Sequence, residues 1–205
     1  MDNRLERRTA SRREEILDAC AALYETKSFR DITIQEIGQK TSFSRTSIYN
    51  YFQTKEEIFL GLLQREYEAW SQDLEQLCQG DALSPPSFPT LVAHTLEPRQ
   101  TLLKLLCMNL YDMEQGSRLE NLAAFKRAYG RSREALTHCL QKAFPHWTKQ
   151  EEDAFLLGFY PFLFGVYPYT TVTEKQRAAM EQANLQPPRT TIFQLCRQIL
   201  TKLVG

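Results

Sequence analysis

Residues 44–52, SRTSIYNYF, combine hydrogen-bonding side chains with large apolar ones over little more than two helical turns. Hydroxyl, guanidinium and amide groups bond to base edges and phosphate oxygens, whereas Ile48 and Phe52 require a dry interior. A core helix has no use for so many polar groups, and a solvated helix has no use for two tyrosines. The combination therefore favours a helix that packs on the protein with one face and on a polar partner with the other.

A second short helix and a tight turn precede this segment. Thr33 and Glu36 have the spacing of a capping box, and Ile34 and Ile37 give their helix an apolar face. The periodicity predicts helices over residues 33–40 and 44–52, joined by the turn KTSF, which carries Phe43 inward. Two short helices joined in this way place the second one in the major groove of DNA. A helical hairpin with ordinary caps would show the same periodicity.

The stretch TIQEIGQKTSFSRTSIYNYFQTKEEIF resembles the DNA-binding signature of TetR-family transcriptional regulators, T-x-x-x-I-A-x-x-A-G-V-S-x-x-x-L-Y-x-Y-F-x-x-K-E-x-L. The matching residues are Thr33, Ile37, Ser44, Ile48, Tyr49, Tyr51, Phe52, Lys55 and Glu56. The order of helices resembles the family over the whole length, whereas the motif similarity is confined to about residues 11–63.

The resemblance implies a role on double-stranded DNA for each polar position of the motif. The residues expected to contact bases are Gln35, Arg45, Thr46 and Tyr49. The residues expected to contact phosphates are Thr33, Ser44, Asn50, Tyr51 and Lys55. These types suit the task, because Arg bonds to guanine O6 and N7 and Tyr hydroxyls reach phosphate oxygens.

The turn departs from the family pattern, because its usual Ala-Gly-Val is Thr41-Ser42-Phe43 here. If Ser42 adopts the positive φ that the glycine would allow, the backbone strain costs about 1 kcal/mol. Phe43 is also larger than the usual Val, so we expect the angle between the two helices to differ from that of the family.

Helix-start pairs recur along the chain and predict an all-α fold without strands. They are Ser11–Glu14, Thr33–Glu36, Thr54–Glu57, Ser117–Glu120, Thr148–Glu151 and Thr173–Gln176. The predicted helices cover residues 11–27, 33–40, 44–52, 54–79, 90–96, 98–113, 117–144, 148–167, 173–183 and 188–203. We expect a helix-turn-helix DNA-binding domain at 1–53 and a helical ligand-binding and dimerisation domain at 54–205, connected by the long helix 54–79.

Net charge indicates no partner, because 25 Lys and Arg balance 25 Asp and Glu. The N-terminal arm carries Arg4, Arg7, Arg8, Arg12 and Arg13, which suits nucleic acid, acidic lipid or a solvated tail. The arm lacks a following apolar stretch, and the five cysteines have no paired spacing. These features predict a cytoplasmic protein with reduced, buried thiols.

One uncharged stretch, Ala154–Val172, has the length of a minimal membrane span. Pro161, Pro168, two glycines and three tyrosines disfavour insertion, and no basic flank sets an orientation. We expect no membrane association and place the stretch inside the protein or between subunits. The two prolines should kink or end its helix.

The resemblance also implies a homodimer, in which the last two long helices, 148–167 and 188–203, pair with those of a second copy. The residues predicted at this interface are Phe155, Phe162, Val166, Ile192, Leu195, Ile199 and Leu203. The alternative is that the same apolar residues form only the core of one chain.

A pocket for a small effector is expected between helix 54–79 and the helices behind it. Its candidate lining is Trp70, Leu106, Cys107, Leu110, Tyr111, Phe125, Tyr129, Phe159 and Tyr160. Aromatic residues at helical spacing also occur in ordinary cores, so both interpretations stay open. A lining of this kind would suit a small, largely apolar ligand.

No catalytic, metal or cofactor site is expected. The histidines are His94, His138 and His146, without metal-binding spacing, and neither G-x-S-x-G nor a Gly-rich phosphate loop occurs. The sequence thus predicts a dimeric regulator of transcription, a repressor released from a palindromic operator by a ligand. The alternative is a helical adaptor whose helix-turn-helix packs against another protein.

Overall fold

A computed structural model of the chain describes residues 2–108 and 110–205, with side chains from Arg8 onward except that of Arg45. The predicted arm residues Arg4 and Arg7 therefore have side chains outside the described residues. Within the described part the regular structure is entirely helical, which confirms the all-α prediction. The helices are α1 (Asp2–Thr26), α2 (Ile34–Gln39), α3 (Arg45–Ile48), α4 (Lys55–Gln79), α5 (Phe88–Leu96), α6 (Gln100–Leu106), α7 (Leu110–Gln115), α8 (Leu119–Ala143), α9 (Lys149–Thr170), α10 (Glu174–Gln182) and α11 (Ile192–Val204).

Reciprocal capping boxes begin several of these helices. The predicted boxes at Thr33, Thr148 and Thr173 are confirmed, and a fourth, unpredicted one begins α11 at Thr191. In each, the threonine hydroxyl accepts a backbone N–H that would otherwise lack a partner at the helix start. The prediction at Ser11 is wrong, because that residue lies inside α1 rather than at its start.

Helix α9 contains the uncharged stretch and runs through Pro161 and Pro168 without ending at either. Both prolines are exposed, and the predicted end of the helix at either of them is absent. Within the described residues, no single helix has the length and hydropathy to cross a membrane. Taken together, α9 and α10 meet those criteria as a pair bent by 77°.

The described chain divides into two compact units. The first consists of Met1–Arg65 with Asn109–Ala128, and the second of Glu66–Met108 with Tyr129–Gly205. Helices α4 and α8 each begin in the first unit and continue in the second. Packing therefore differs from the predicted division at residue 54, because the start of α4 and residues 109–128 belong with the helix-turn-helix.

The first unit has a core of aliphatic and aromatic side chains from α1, α2, α3 and α4. Ile16, Ile37, Ile48 and Phe52 are completely buried there. Phe59 receives the rings of Tyr24 and Phe29 edge-on, with centroids 5.2 and 4.8 Å away. This core fixes the inner faces of the two short helices.

The second unit has a separate core, in which α11 packs on α5 and α9 while α6 packs on α9. Phe88 on α5 is completely buried and makes edge-to-face contacts with Phe144 and Phe155, at 5.4 and 5.8 Å between ring centroids. Burial raises the pKa of the Cys139 and Cys196 thiols to about 12, so both are unreactive. Cys107, by contrast, is exposed, so the prediction that all five thiols are buried is wrong.

We predict that Phe88→Ala destabilises the second unit by about 3–5 kcal/mol, because it removes a buried ring and leaves a cavity between two others. Urea unfolding followed by circular dichroism measures the change. Leu185→Ala, at an exposed loop position, is the control and should stay within about 0.5 kcal/mol. Equal effects of the two substitutions would contradict the assignment of Phe88 to the core.

Candidate nucleic-acid interface

Helix α2 begins at Thr33, whose hydroxyl accepts the Glu36 N–H at 3.2 Å while the Glu36 carboxylate accepts the Thr33 N–H at 2.9 Å. Lys27 Nζ lies 2.5 Å from the same carboxylate. These hydrogen bonds lower the pKa of Glu36, with that from Lys27 contributing most. The sequence signal for this helix start was therefore correct, and its local hydrogen bonds fix where α2 begins.

The turn between α2 and α3 is held by a carboxylate from α1. Both carboxylate oxygens of Glu15 accept hydrogen bonds from Ser42, one from the backbone N–H and one from the hydroxyl at 3.0 Å. Thr41 Oγ1 donates to the Gly38 carbonyl at 3.0 Å. Ser42 does not adopt a positive φ, since Asn184 is the only non-glycine residue with one in the described chain. The strain considered at Ser42 is therefore absent.

Phe43, the bulky residue of this turn, is half-buried. The guanidinium carbon of Arg12 lies 5.3 Å from its ring centroid, and the Tyr51 ring centroid lies 6.3 Å away. The neighbouring Arg13 covers the Phe52 ring at 4.7 Å. Two arginines of the arm thus pack on aromatic rings next to the turn, so their charge remains beside the helix-turn-helix.

Helix α3 is shorter than predicted. Regular helix covers only Arg45–Ile48, and residues 49–52 continue as turns in which Tyr51 and Phe52 donate to the Ile48 carbonyl at 2.8 and 3.0 Å. The burial pattern nevertheless follows the prediction, because Ile48 and Phe52 are completely buried. The segment thus has one face fixed in the protein and one that faces away from it.

The outward face carries most of the predicted base-contacting residues. Gln35 and Thr46 are exposed, and Tyr49 is 44% exposed despite its size. The backbone of Arg45 begins α3, but its side chain lies outside the described residues. An exposed tyrosine beside hydroxyl and amide groups forms a surface that can donate and accept hydrogen bonds.

The predicted phosphate contacts divide into available and engaged groups. Asn50 is exposed, and Ser44 is exposed with its hydroxyl 3.1 Å from that of Ser47 rather than capping the helix. Thr33 is engaged in its capping box, and Tyr51 is half-buried. Lys55 Nζ donates to the Phe29 carbonyl at 2.7 Å and lies 4.1 Å from the Phe29 ring centroid. Lys55 therefore has a structural role that the sequence did not indicate.

An ion pair between a buried carboxylate and a half-exposed guanidinium lies at the point where the chain leaves α3. The Glu57 side chain is 1% exposed and accepts hydrogen bonds from Arg118 Nε at 2.7 Å, Arg118 Nη2 at 3.0 Å and the Arg118 N–H at 2.9 Å. It also accepts the Gln53 N–H at 2.8 Å. Burial would raise the pKa of Glu57, but these hydrogen bonds lower it to about 2.

The sequence contains no local signal for this pair. It predicts Glu57 only as the partner of Thr54 in a capping box, and Thr54 Oγ1 does accept the Glu57 N–H at 3.1 Å. The carboxylate, however, bonds to Arg118, which lies 61 residues further along the chain. No local pattern connects two residues at that separation.

The nine predicted pocket residues are divided between the two units. Leu110, Tyr111 and Phe125 belong to the first unit and the other six to the second. Tyr111 is 78% exposed and Cys107 is also exposed, so neither lines an interior space, and this part of the prediction is wrong. The sequence could not show this, because the periodicity does not tell which apolar positions of a helix face outward.

Four of the remaining pocket residues form a packed aromatic cluster in the second unit. The Tyr160 ring centroid lies 6.0 Å from that of Trp70, 5.3 Å from Tyr129 and 6.4 Å from Phe159. Tyr160 OH lies 2.9 Å from Ser132 Oγ, and Trp70 Nε1 donates to Thr95 Oγ1 at 2.9 Å. Leu106 is buried in the same unit. The cluster is an apolar interior whose polar atoms have partners.

The predicted interface residues also divide by burial. Phe155, Val166 and Ile192 are buried in the core of the chain itself, which leaves little of their surface for a partner. Phe162, Leu195, Ile199 and Leu203 are half-exposed. From Ala154 onward α9 has apolar residues on every side, so the sequence did not reveal which of its faces turns outward. The outward face carries Leu157, Pro161, Phe164 and Pro168.

Two family models match the chain. Residues 16–62 match the model described as bacterial regulatory proteins, tetR family. Residues 64–204 match the model described as tetracyclin repressor-like, C-terminal domain.

Among curated proteins, the uncharacterized HTH-type transcriptional regulator YdgC of Bacillus subtilis strain 168 is 39% identical over 51 residues, covering 25% of this chain and 26% of that protein. Among solved structures, the TetR-family transcriptional regulator PfmR from Thermus thermophilus is 13% identical, with a TM-score of 0.61, and the superposition covers 92% of this chain and 96% of PfmR. The fatty acid degradation regulator FadR from Bacillus halodurans is 13% identical, with a TM-score of 0.59 and coverage of 94% and 97%. At these identities the structural likeness shows the fold.

We predict a pH-dependent stability from Glu57. Its pKa is about 2 in the folded chain against an ordinary 4.5, so the ionised form stabilises the fold above pH 4.5. This contribution, on the order of 2–3 kcal/mol, is lost as the pH falls from 4.5 towards 2. Glu57→Gln should therefore be less stable than the unaltered chain at pH 7, and the gap should close in acid.

Urea unfolding at a series of pH values measures that gap. Glu120→Gln, which removes an exposed carboxylate 3.5 Å from the same Arg118, is the control and should change stability by at most about 0.5 kcal/mol. A gap between Glu57→Gln and the unaltered chain that stays constant down to pH 2 would contradict the assignment.

Proposed function

The chain belongs to the tetR family of bacterial regulatory proteins and is a DNA-binding transcriptional regulator, and we propose that it is a dimeric repressor whose operator binding is relieved by a small, largely apolar ligand. The family consists of regulators that bind DNA and not of enzymes. The repressor assignment is supported by the tetracyclin repressor-like match over residues 64–204.

The observation that carries the DNA-contact proposal is the two-sidedness of residues 44–52. Ile48 and Phe52 are completely buried, while Thr46, Tyr49 and Asn50 face away from the protein. A major groove accepts such a segment because its base edges and flanking phosphates supply the polar partners. We assign base contacts to Gln35, Arg45, Thr46 and Tyr49.

Phosphate contacts are assigned first to Ser44 and Asn50, whose side chains are exposed. Tyr51 and Lys55 are half-buried at the edge of the same surface, and Thr33 reaches DNA only by exchanging its hydrogen bond to Glu36. Such contacts set the register of the protein on the duplex, and their number determines how steeply affinity falls with salt.

The dimer proposal rests on an exposed apolar surface of the second unit, here called the α9 stripe: Leu157, Pro161, Phe164 and Pro168. Next to it, a groove of about 360 Å³ is lined by Pro161, Phe162, Gly165, Tyr169 and Leu195. Half-exposed Ile199 and Leu203 extend the apolar surface along α11. A second copy of the chain would cover this surface by two-fold symmetry, and the matching operator would be a palindrome with half-sites about 34–36 Å apart.

We place ligand binding in the second unit and propose the functional division expected from the sequence, with DNA binding at 1–53 and ligand binding and dimerisation at 54–205. An apolar ligand would suit the aromatic side chains around Tyr160, since small-molecule pockets are typically lined by apolar groups with few polar ones.

The experiment that tests the function is selection of bound duplexes from a random DNA pool. A palindromic sequence with two half-sites about one helical turn apart is the expected result. Failure to enrich any sequence at low salt would overturn the regulator assignment and favour an adaptor that binds protein.

We predict that Arg45→Ala weakens binding to the selected duplex by about 1–3 kcal/mol, because a bidentate base contact is lost. Tyr49→Phe should lose about 0.5–1.5 kcal/mol through its hydroxyl. Gel-shift titration measures both. The matched controls are Arg127→Ala and Tyr111→Phe, which alter exposed residues outside the helix-turn-helix and should leave affinity unchanged. Unchanged binding by both test variants would rule out the proposed contacts.

We predict that Phe164→Glu, on the α9 stripe, converts a dimer into monomers, because an unpaired carboxylate is costly in an apolar interface. Sedimentation velocity at about micromolar concentration measures the mass, and operator affinity should fall with it. Leu185→Glu, at another exposed apolar position, is the control and should remain dimeric. An unaltered chain that sediments as a monomer would contradict the dimer.

A further inference from the structure

The segment that follows α3 has no helix of its own to fix it. Between Ile48 and the start of α4 the backbone makes turns, and only Phe52 anchors it in the core. Two backbone groups of this exit are bound by side chains from elsewhere in the first unit. The Gln53 N–H donates to Glu57 at 2.8 Å, and the Tyr51 carbonyl accepts from Arg118 Nη2 at 3.3 Å.

Arg118 connects both of these contacts. Its guanidinium binds the Glu57 carboxylate through Nε and Nη2 while Nη2 also reaches the Tyr51 carbonyl. The Arg118 backbone N–H adds a third bond to Glu57. Because the Glu57 side chain is buried, removing the Arg118 side chain would leave a carboxylate with two backbone N–H donors and no cation, so the exit of α3 and residue 118 are held together.

A second, independent contact holds the residues just before Arg118 against the start of α4. The Gly116 carbonyl accepts from Thr54 Oγ1 at 2.8 Å. A Cβ at Gly116 would lie 2.9 Å from Glu56 Cβ, closer than real Cβ contacts allow. The close approach of residue 116 to Glu56 therefore requires glycine. Gly116 and Arg118 both bind the segment between α3 and α4, Gly116 at Thr54 and Arg118 at Tyr51.

We infer that Arg118, outside the helix-turn-helix, is a positioning residue for operator recognition that fixes the exit of α3 through Glu57. The inference rests on the proposed role of α3 in contacting bases. Arg118 acts through Glu57 and the Tyr51 carbonyl and not on DNA. The resulting requirement is that residues 116–118 keep their place if Thr46 and Tyr49 are to meet base edges.

A double-mutant cycle tests this inference on the full-length chain. Arg118→Gln, Glu57→Gln and the double variant are titrated against the duplex that the unaltered chain selects and against a scrambled duplex of the same length and composition. Each single variant should lose about tenfold in affinity for the selected duplex, the size of one lost base contact. The double variant should lose no more than the worse single one, since both act through one pair.

Affinity for the scrambled duplex at low salt should change less than about twofold, because phosphate contacts remain. A general loss of folded protein would lower both affinities equally, so the ratio of the two distinguishes positioning from stability. Arg118→Lys, which keeps the charge without the planar guanidinium, should recover part of the ratio. Arg127→Gln removes an equal charge from an exposed position of α8 and should leave both affinities unchanged.

Additive losses in the double variant, with a shallower salt dependence for Arg118→Gln alone, would overturn the inference, because Arg118 would then touch phosphate. Equal losses on both duplexes would overturn it in favour of a purely structural role. If the unaltered chain selects no sequence, the proposed DNA contacts fail. If the unaltered chain selects a sequence and the Arg118 variants keep the same ratio of affinities for the selected and scrambled duplexes, only the positioning role fails.

Discussion

A helix of four residues cannot sustain itself, since its backbone hydrogen bonds do not repay the cost of starting it. Residues 44–52 therefore depend on contacts from outside the segment. Ile48 and Phe52 anchor its inner face in the core of the first unit, and a glutamate holds each end. Glu15 on α1 binds Ser42 before the helix, and Glu57 on α4 binds Gln53 after it. The outward polar face is free for another partner because none of these contacts uses it.

The carboxylates of Glu15 and Glu57 differ in how strongly they fix the backbone at the two ends of this segment. Glu15 is half-exposed, so water would replace its bonds to Ser42 at modest cost. Glu57 is buried, and its charge is tolerated only because Arg118 and two backbone N–H groups surround it. The exit of α3 is consequently the more rigidly determined end. The Glu57–Arg118 ion pair connects the segment that contains Arg118 with the end of α3, although α5 and α6 separate the two along the chain.

Sequence reasoning succeeded where a signal is local. Periodicity and capping pairs identified most of the helices, although the predicted helix 98–113 is two helices, α6 and α7. The burial of Ile48 and Phe52 followed from their spacing. It failed where contacts are distant or faces are ambiguous. No residue near Glu57 in the sequence indicates that Arg118 is its partner. Likewise, no residue near Ser42 indicates that Glu15 of α1 holds the turn from which the usual glycine is missing. On α9, apolar residues occupy every side from Ala154 onward, so the pattern could not assign Phe155 to the core and Phe164 to the surface. On α7, the sequence did not show that Tyr111 is exposed.

The bond between Glu57 and Arg118 has a consequence for synthesis of the chain. When the last residue of the helix-turn-helix leaves the ribosome, Arg118 has not yet been made, and the Glu57 carboxylate has no guanidinium partner. Translation of the intervening residues takes roughly 3–12 s at bacterial rates of about 5–20 residues per second. During that interval the nascent chain carries the proposed base-contacting residues without the ion pair that holds the exit of α3. This ion pair can form only after translation has reached the residue just before α8.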